Sequence, residues 1–325
     1  MKGRSFWCAA VCALFVGCGG TIKNDDVVLD EIGSSGDLQV SLSDTPTEMT
    51  SATANLEITD QRDLLGFWVG YFRRADESEY SEVINPDEGI YWSRENKINI
   101  SIDEISDGKV KGHSVVAGND RPFEGTCTEQ DDLYVFEVSE PGDDKYDGKF
   151  NFEISKLWST LKGTWKAYKK IDIQERVYEL EKKIFTYNPE QMLEYSRRYS
   201  DWDNSKKTKS ESEDDLEFYG DFYTEFSTAT DSIYTMNASS TLLTKADVEN
   251  LRKGDLLIIR NTIYARHGYS FKMRPLRVFF DSQDWYIPVH TDIKSSLTET
   301  EKKNIELLLK YEKNATEYYD TFGRG

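Results

Sequence analysis

Ile98, Ile100 and Ile102 alternate with polar residues, Asp107-Gly108 follows, and Val110, Gly112, Ser114 and Val116 resume the alternation. A period of two places one set of side chains on one face of a strand, and an Asp-Gly pair suits the positive backbone angles of a two-residue hairpin turn. This is the clearest hairpin in the chain. Further strands are expected at residues 123–128, 133–138, 150–154 and 161–167, separated by Asp131-Asp132, Pro141-Gly142 and Asp147-Gly148. Consecutive short strands with tight turns predict an antiparallel meander over residues 62–170 that closes into a barrel or sandwich.

Gly66-Phe67-Trp68 at the start of this region and Gly163-Thr164-Trp165 at its end resemble the glycine-tryptophan strands that open and close lipocalin-like barrels. The resemblance implies a carrier of a small apolar ligand, with an apolar cavity around Trp68 and Trp165. A small barrel can equally be filled by its own side chains.

Residues 171–240 change character. Val177, Leu180 and Ile184 stand at helical spacing ahead of Asn188-Pro189, which predicts one amphipathic helix over residues 171–185. Residues 206–217 are charged and Ser-containing without an apolar period, and read as an acidic linker. Phe218, Tyr219, Phe222, Tyr223 and Phe226 then suit either a short strand or a docking segment.

The run Arg260-Asn261-Thr262-Ile263-Tyr264-Ala265-Arg266-His267-Gly268-Tyr269-Ser270-Phe271 carries the signature of the YARHG domain. The similarity continues through Phe279-Phe280, Trp285-Tyr286-Ile287-Pro288 and Glu301-Lys302-Lys303-Asn304-Ile305, so residues 241–315 resemble this small bacterial module. The resemblance implies an extracytoplasmic setting and no assigned molecular function. Thr262 stands where the family often has Glu, so a role resting on that acid is absent here.

The residues themselves predict an all-α module. Thr244 and Asp247 suit the capping box of a short helix stopped by Gly254, Asp255 can cap a second helix reaching His267, and Gly268 supplies its left-handed end. Thr298 and Glu301 open a third helix that buries Ile305, Leu308 and Leu309. On the second helix Leu256, Ile259 and Ile263 form an apolar stripe, with Arg260, Tyr264 and His267 beside it. Two roles fit these polar residues. Arg260, Asn261 and His267 could satisfy polar groups of a long, irregular loop over residues 269–296. Alternatively, Arg260, Tyr264, Arg266 and His267 could present a cationic pocket to a carboxylate of cell-wall peptide or an acidic glycan. Trp285 is a hydrophobic plug on the first reading and a sugar-stacking platform on the second.

At the N-terminus, Lys2 and Arg4 precede an apolar run over residues 6–16, and Phe15-Val16-Gly17 leads into Cys18. This layout resembles a bacterial lipoprotein signal peptide with its lipobox, although Phe15 departs from the usual Leu. The run is shorter than the ~20 residues that span a bilayer. The resemblance implies removal of residues 1–17, acylation of Cys18 and anchoring at the bacterial cell envelope. Residues 18–61, rich in Ser, Thr, Asp and Gly, read as a flexible tether, and residues 316–325 as a tail. Lys23-Asn24-Asp25-Asp26 loosely resembles the acidic signals of surface lipoproteins.

A net charge of -19 opposes nucleic acid and anionic lipid, whose binding needs clustered Lys and Arg. Cys8 and Cys12 lie in the leader, which leaves Cys127 in the folded body and no intrachain disulfide after processing. His113, His267 and His290 fall in no His-Glu-x-x-His motif, and the chain lacks Gly-x-Ser-x-Gly, a P-loop and Cys-x-x-Cys in the mature part. Residues 143–148 fail as an EF-hand because Lys145 and Ile154 occupy ligand positions. No metal, cofactor or catalytic residue is expected. The expectation is a non-catalytic envelope lipoprotein that binds or scaffolds cell-wall or envelope partners, with an apolar-ligand carrier or a hydrolase using His267 as alternatives.

Overall fold

The computed structural model of the protein describes residues 58–315, apart from 77–81, 86–89, 93, 158, 210–216 and 218–221. The leader, Cys18, the tether up to residue 57 and the tail after 315 lie outside the described residues.

The strands are β1 (Gly66–Arg74), β2 (Glu82–Asn85), β3 (Ile90–Trp92), β4 (Asn96–Ser106), β5 (Lys109–Val116), β6 (Asn119–Gln130), β7 (Leu133–Ser139), β8 (Gly148–Ser155), β9 (Thr160–Ala167), β10 (Glu175–Lys183), β11 (Ser200–Lys209) and β12 (Phe222–Thr228). Eight of them close an antiparallel barrel in the order β1-β10-β9-β8-β7-β6-β5-β4, with β1 also paired to β4. β2 with β3, and β11 with β12, form separate two-stranded ribbons. Asp107 and Gly108 join β4 to β5 with φ of 50 and 72°, the two positive angles that the Asp-Gly pair supplies.

An eight-stranded barrel has an interior that side chains can just fill, and this one is packed by Ile98, Ile100, Phe123, Phe136, Phe150 and Leu180 among others. Each such burial contributes roughly 1.5–3 kcal/mol. Phe136 stacks on Phe152 at 4.6 Å. Gly163 is glycine because a Cβ there would lie 2.5 Å from the Asn151 carbonyl oxygen. A short 3-10 helix, Gln61–Leu64, plugs one end: Leu64 is buried and its carbonyl accepts the Trp68 Nε1–H at 2.9 Å. Trp68 belongs to this plugged end, whereas Trp165 pairs with Arg176 near the start of β10 at the other. The two tryptophans therefore do not line one cavity, and β10 rather than β9 closes the barrel.

β10 overturns the helix expected over residues 171–185. Its inner face is Arg176, Tyr178 and Leu180, while Val177 and Ile184 are 38% and 73% exposed. The helical spacing of Val177, Leu180 and Ile184 was coincidental, because barrel closure requires an eighth strand between β1 and β9. The expected linker is likewise corrected in its first part. Ser205–Lys209 pairs with Phe222–Phe226, and the exposed Lys206, Lys207 and Lys209 show why such a ribbon needs no apolar alternation. Residues 210–216 lie outside the described residues.

The helices are α1 (Lys245–Val248), α2 (Lys253–Arg266), α3 (Arg274–Asp281) and α4 (Glu299–Asn314). Thr244 and Asp247 form the capping box of α1, as do Thr298 and Glu301 for α4, and Gly268 follows α2 at φ 70°. Gly254 does not stop a helix. It lies in the first turn of α2, where a Cβ would sit 2.2 Å from the Thr228 carbonyl oxygen of β12. Asp255 is not the N-cap but the third residue of that turn, accepting the Arg252 N–H at 3.0 Å. The loop expected over residues 269–296 contains α3, whose Pro275 is tolerated in the first turn because N–H groups there have no intrahelical partner.

α3 packs on β4 and β11. Lys97 of β4 donates its backbone N–H to Asp281 Oδ2 at 2.8 Å and its Nζ to the carbonyls of Gln283 and Tyr286 at 2.8 and 3.1 Å. Burial lowers the Lys97 ammonium to about 8, against the pull of Asp281, whose own carboxyl burial raises to about 6. Ser270 of the signature accepts the Gly118 N–H of the β5–β6 turn at 2.9 Å. The barrel and the helices thus share buried polar contacts.

Candidate functional site

Almost every residue of α2 is buried, so its polar stripe faces packed protein. Arg260 forks onto Glu312 of α4, with Nε to Oε2 at 2.9 Å and Nη2 to Oε1 at 3.1 Å, and its guanidinium lies 5.9 Å from the Tyr264 ring. Burial lowers the Arg260 pKa, but Glu312 outweighs it and holds the group above its ordinary value. Asn261 returns its Nδ2–H to the Leu257 carbonyl, and Thr262 its hydroxyl to the Ile258 carbonyl, both at 2.8 Å. Arg266 donates to the Gln191 carbonyl at 2.7 Å and to Ser239 Oγ at 3.0 Å. His267 Nε2 meets Glu301 Oε2 at 2.9 Å, and its ring stacks on Tyr187 at 4.2 Å. Trp285 is half-buried and stands edge-on to Tyr286, which is the buried plug of this region. Arg260, Arg266 and His267 each reach a different partner. Among the described residues, no group of three His, Cys, Asp or Glu side chains could hold a metal.

A second group of polar residues converges elsewhere. Along β4, β5, β6 and β10, inward positions are apolar toward the plugged end and polar toward the other: Asn96 precedes Ile98, Ser114 follows Gly112, Arg121 precedes Phe123 and Arg176 precedes Tyr178. Glu140 continues the inward series Tyr134, Phe136 and Val138. Because neighbouring strands are antiparallel, these ends gather at one mouth. They line a cavity of about 560 Å³ with aromatic residues Phe72, Phe150 and Trp165, and α3 adds Arg274 and Arg277. Of the 21 lining residues, seven are Lys or Arg and two, Glu140 and Asp172, are acidic.

The chemistry of the mouth follows from its burial. Arg176 gives Nη1–H to the carbonyls of Phe72 and Arg94 at 2.8 and 3.1 Å, and its guanidinium lies 5.0 Å from the Phe72 ring. Burial, reinforced by Arg277, Arg74 and Arg94, lowers Arg176 to about 10. Arg121 meets Asp147 at 3.1 Å and Asp144 at 3.3 Å, so the acidic loop over residues 143–148 is a partner for this cation.

Glu140 accepts the Gly148 N–H at 2.7 Å, and Trp165 Nε1–H and the Ser114 hydroxyl at 3.2 Å each. Burial nonetheless pushes its carboxyl up to about 7, from an ordinary 4.5. A carboxyl raised in the folded state favours the proton there, so stability is full below about pH 4.5 and falls as pH rises through 7, by roughly 3 kcal/mol in all. Glu140→Gln keeps an acceptor for Gly148 and Trp165, and is expected to remove that slope and raise the melting temperature at pH 8. Thermal melts of both proteins at pH 5 and pH 8 measure this, and parallel pH slopes would refute it.

None of the mouth residues forms a local motif. The signal that could have found them is an arginine or glutamate on an otherwise apolar strand face, which becomes readable once the register is known.

Fold and site together define a two-part protein, a closed eight-stranded β-barrel joined to a helical module. The helical part is similar to the YARHG domain, whose family matches residues 232–313. The match starts at 232 rather than 241, and takes in most of a 3-10 helix, Asp231–Tyr234. No curated protein and no solved structure matches the chain.

Proposed function

We propose that this chain is a non-catalytic binding protein of the bacterial cell envelope, lipid-anchored at Cys18, and that its ligand enters the barrel mouth. The observation that carries the reading is the 560 Å³ cavity, within the 300–1,000 Å³ range of small-molecule sites and walled by both parts of the protein. The YARHG match agrees with an envelope-associated binding role. Inward pairing of Arg260, Arg266 and His267 favours structural duty for them over recognition of cell-wall peptide or glycan, and the burial of His267 keeps a hydrolytic substrate from reaching it. A barrel interior filled by its own side chains argues against the apolar carrier.

Two variants test the two halves of the proposal. Cys18→Ala is expected to abolish fatty-acid labelling and release the protein from membranes; retained labelling would refute the anchor. Ile173→Trp places a large ring in a loop lining the mouth. Ligand-detected NMR with a charged and neutral fragment library should give hits that this variant loses, and a library without such hits would refute the site.

A further inference from the structure

The distribution of charge at the mouth runs against that of the chain. The whole sequence carries -19, yet the cavity is lined by seven cations and two acids. The cations come from both parts of the protein: Arg94, Arg121 and Arg176 from the barrel, Arg274 and Arg277 from the first turn of α3. Arg121 is already paired with Asp147 and Asp144, whereas Arg176 and Arg277 also donate to neutral oxygens. Arg176 bonds two carbonyls, and Arg277 bonds Asn96 Oδ1 and the Lys272 carbonyl at 2.8 Å each. Arg274 instead lies over the Trp92 ring at 5.7 Å. The positive end of the α3 dipole adds to the same field. Like charges gathered in a partly buried space repel; the lowered basicity of Arg176 comes first from burial and only then from Arg277, Arg74 and Arg94.

We infer that the mouth binds a small ligand bearing an oxyanion, a phosphoryl or carboxylate group, held between the barrel arginines and those of α3, with a flat apolar body against the aromatic floor. This rests on the reading of the mouth as the ligand site. Planar guanidinium forks match the geometry of carboxylate and phosphate oxygens, and an anion would relieve the repulsion among the cations. Cavity size favours a small molecule, and the negative chain as a whole would repel a nucleic acid or an anionic bilayer. Because α3 contributes cations that the barrel alone lacks, ligand binding would tie the two parts together.

Titration of the full-length protein with 2-naphthyl phosphate, 2-naphthoate and neutral 2-naphthol, followed by naphthyl fluorescence anisotropy, tests the assignment. Affinity should fall in that order, with at least a tenfold gap between phosphate and naphthol, and should weaken with salt. Arg274→Glu and Lys170→Glu alter exposed residues, so folding should survive. Each is expected to weaken the phosphate at least tenfold, with unchanged melts and unchanged naphthol binding. Arg277→Gln should weaken the phosphate as well. Naphthol binding as tightly as the phosphate, with both charge reversals silent, would overturn the oxyanion while leaving the mouth as the site. Loss of every probe's binding, or binding indifferent to Ile173→Trp, would overturn both. Displacement of 2-naphthyl phosphate by phosphatidylglycerol vesicles would overturn the small-ligand assignment in favour of a lipid headgroup.

Discussion

Replacing Glu301 with alanine is expected to destabilise the protein by about 3–5 kcal/mol, the range for removing one member of a buried ionic network. Glu301 is 0% exposed and serves three donors at once. Its Oε2 takes the His267 ring and the Thr298 N–H at 2.9 Å each, and its Oε1 takes the Tyr187 hydroxyl at 3.0 Å. The alanine variant strands all three and removes the capping box of α4. Helix-end electrostatics alone would give His267 only ~0.3–1 kcal/mol, but its burial against this carboxylate means that His267→Ala should also exceed about 2 kcal/mol. Burial raises the Glu301 pKa, yet bonds from His267 and Thr298 outweigh it and leave the group below its ordinary 4.5. Its stabilisation is therefore present above pH 4.5 and is lost as pH falls through the folded value. Urea denaturation at pH 7 and pH 4 measures both effects, and a loss under about 1 kcal/mol for Glu301→Ala at pH 7 would contradict them.

Arg260 provides the second large effect. Arg260→Ala should cost about 2–4 kcal/mol, because it leaves the mostly buried Glu312 carboxylate without its bidentate partner. The double variant Arg260→Met with Glu312→Leu is expected to be far closer to wild type, since a buried pair replaced by apolar groups of similar size sheds its desolvation penalty. Chemical denaturation of the single and double variants decides the matter. Singles within about 0.5 kcal/mol of wild type would mean that the arginine faces solvent and is available for recognition.

The barrel was legible where physics repeats locally. Ile98, Ile100, Ile102 and Asp107-Gly108 state both strand period and turn, and the observed β4–β5 hairpin follows them. β10 was not legible because Arg176 occupies an inward position, which breaks the apolar alternation, while Val177 and Ile184 imitate a helical stripe on the exposed side. Gly254 misled for a related reason: glycine signals a helix end, but here it makes room for the carbonyl of Thr228, residues away in sequence. α3 hid in a segment whose aromatic residues, Phe279 and Phe280, carry little periodicity over only eight positions. The signature residues of α2 stood out in the sequence, yet their inward pairing depends on Gln191, Glu301 and Glu312 from other elements. The mouth was invisible because its residues come in ones and twos from strand ends, loops and α3 that lie far apart in sequence.

Barrel closure has a further consequence, for self-association. A closed sheet offers no unpaired backbone edge to a second copy, so among the described strands only the β2–β3 and β11–β12 ribbons retain such edges. Lys206, Lys207 and Lys209 stand exposed along β11, where a row of ammonium groups discourages another strand from docking alongside. The described strands thus give crowded chains few edges on which intermolecular β-structure could begin, and among them neutralising those lysines is where such pairing would be made easiest.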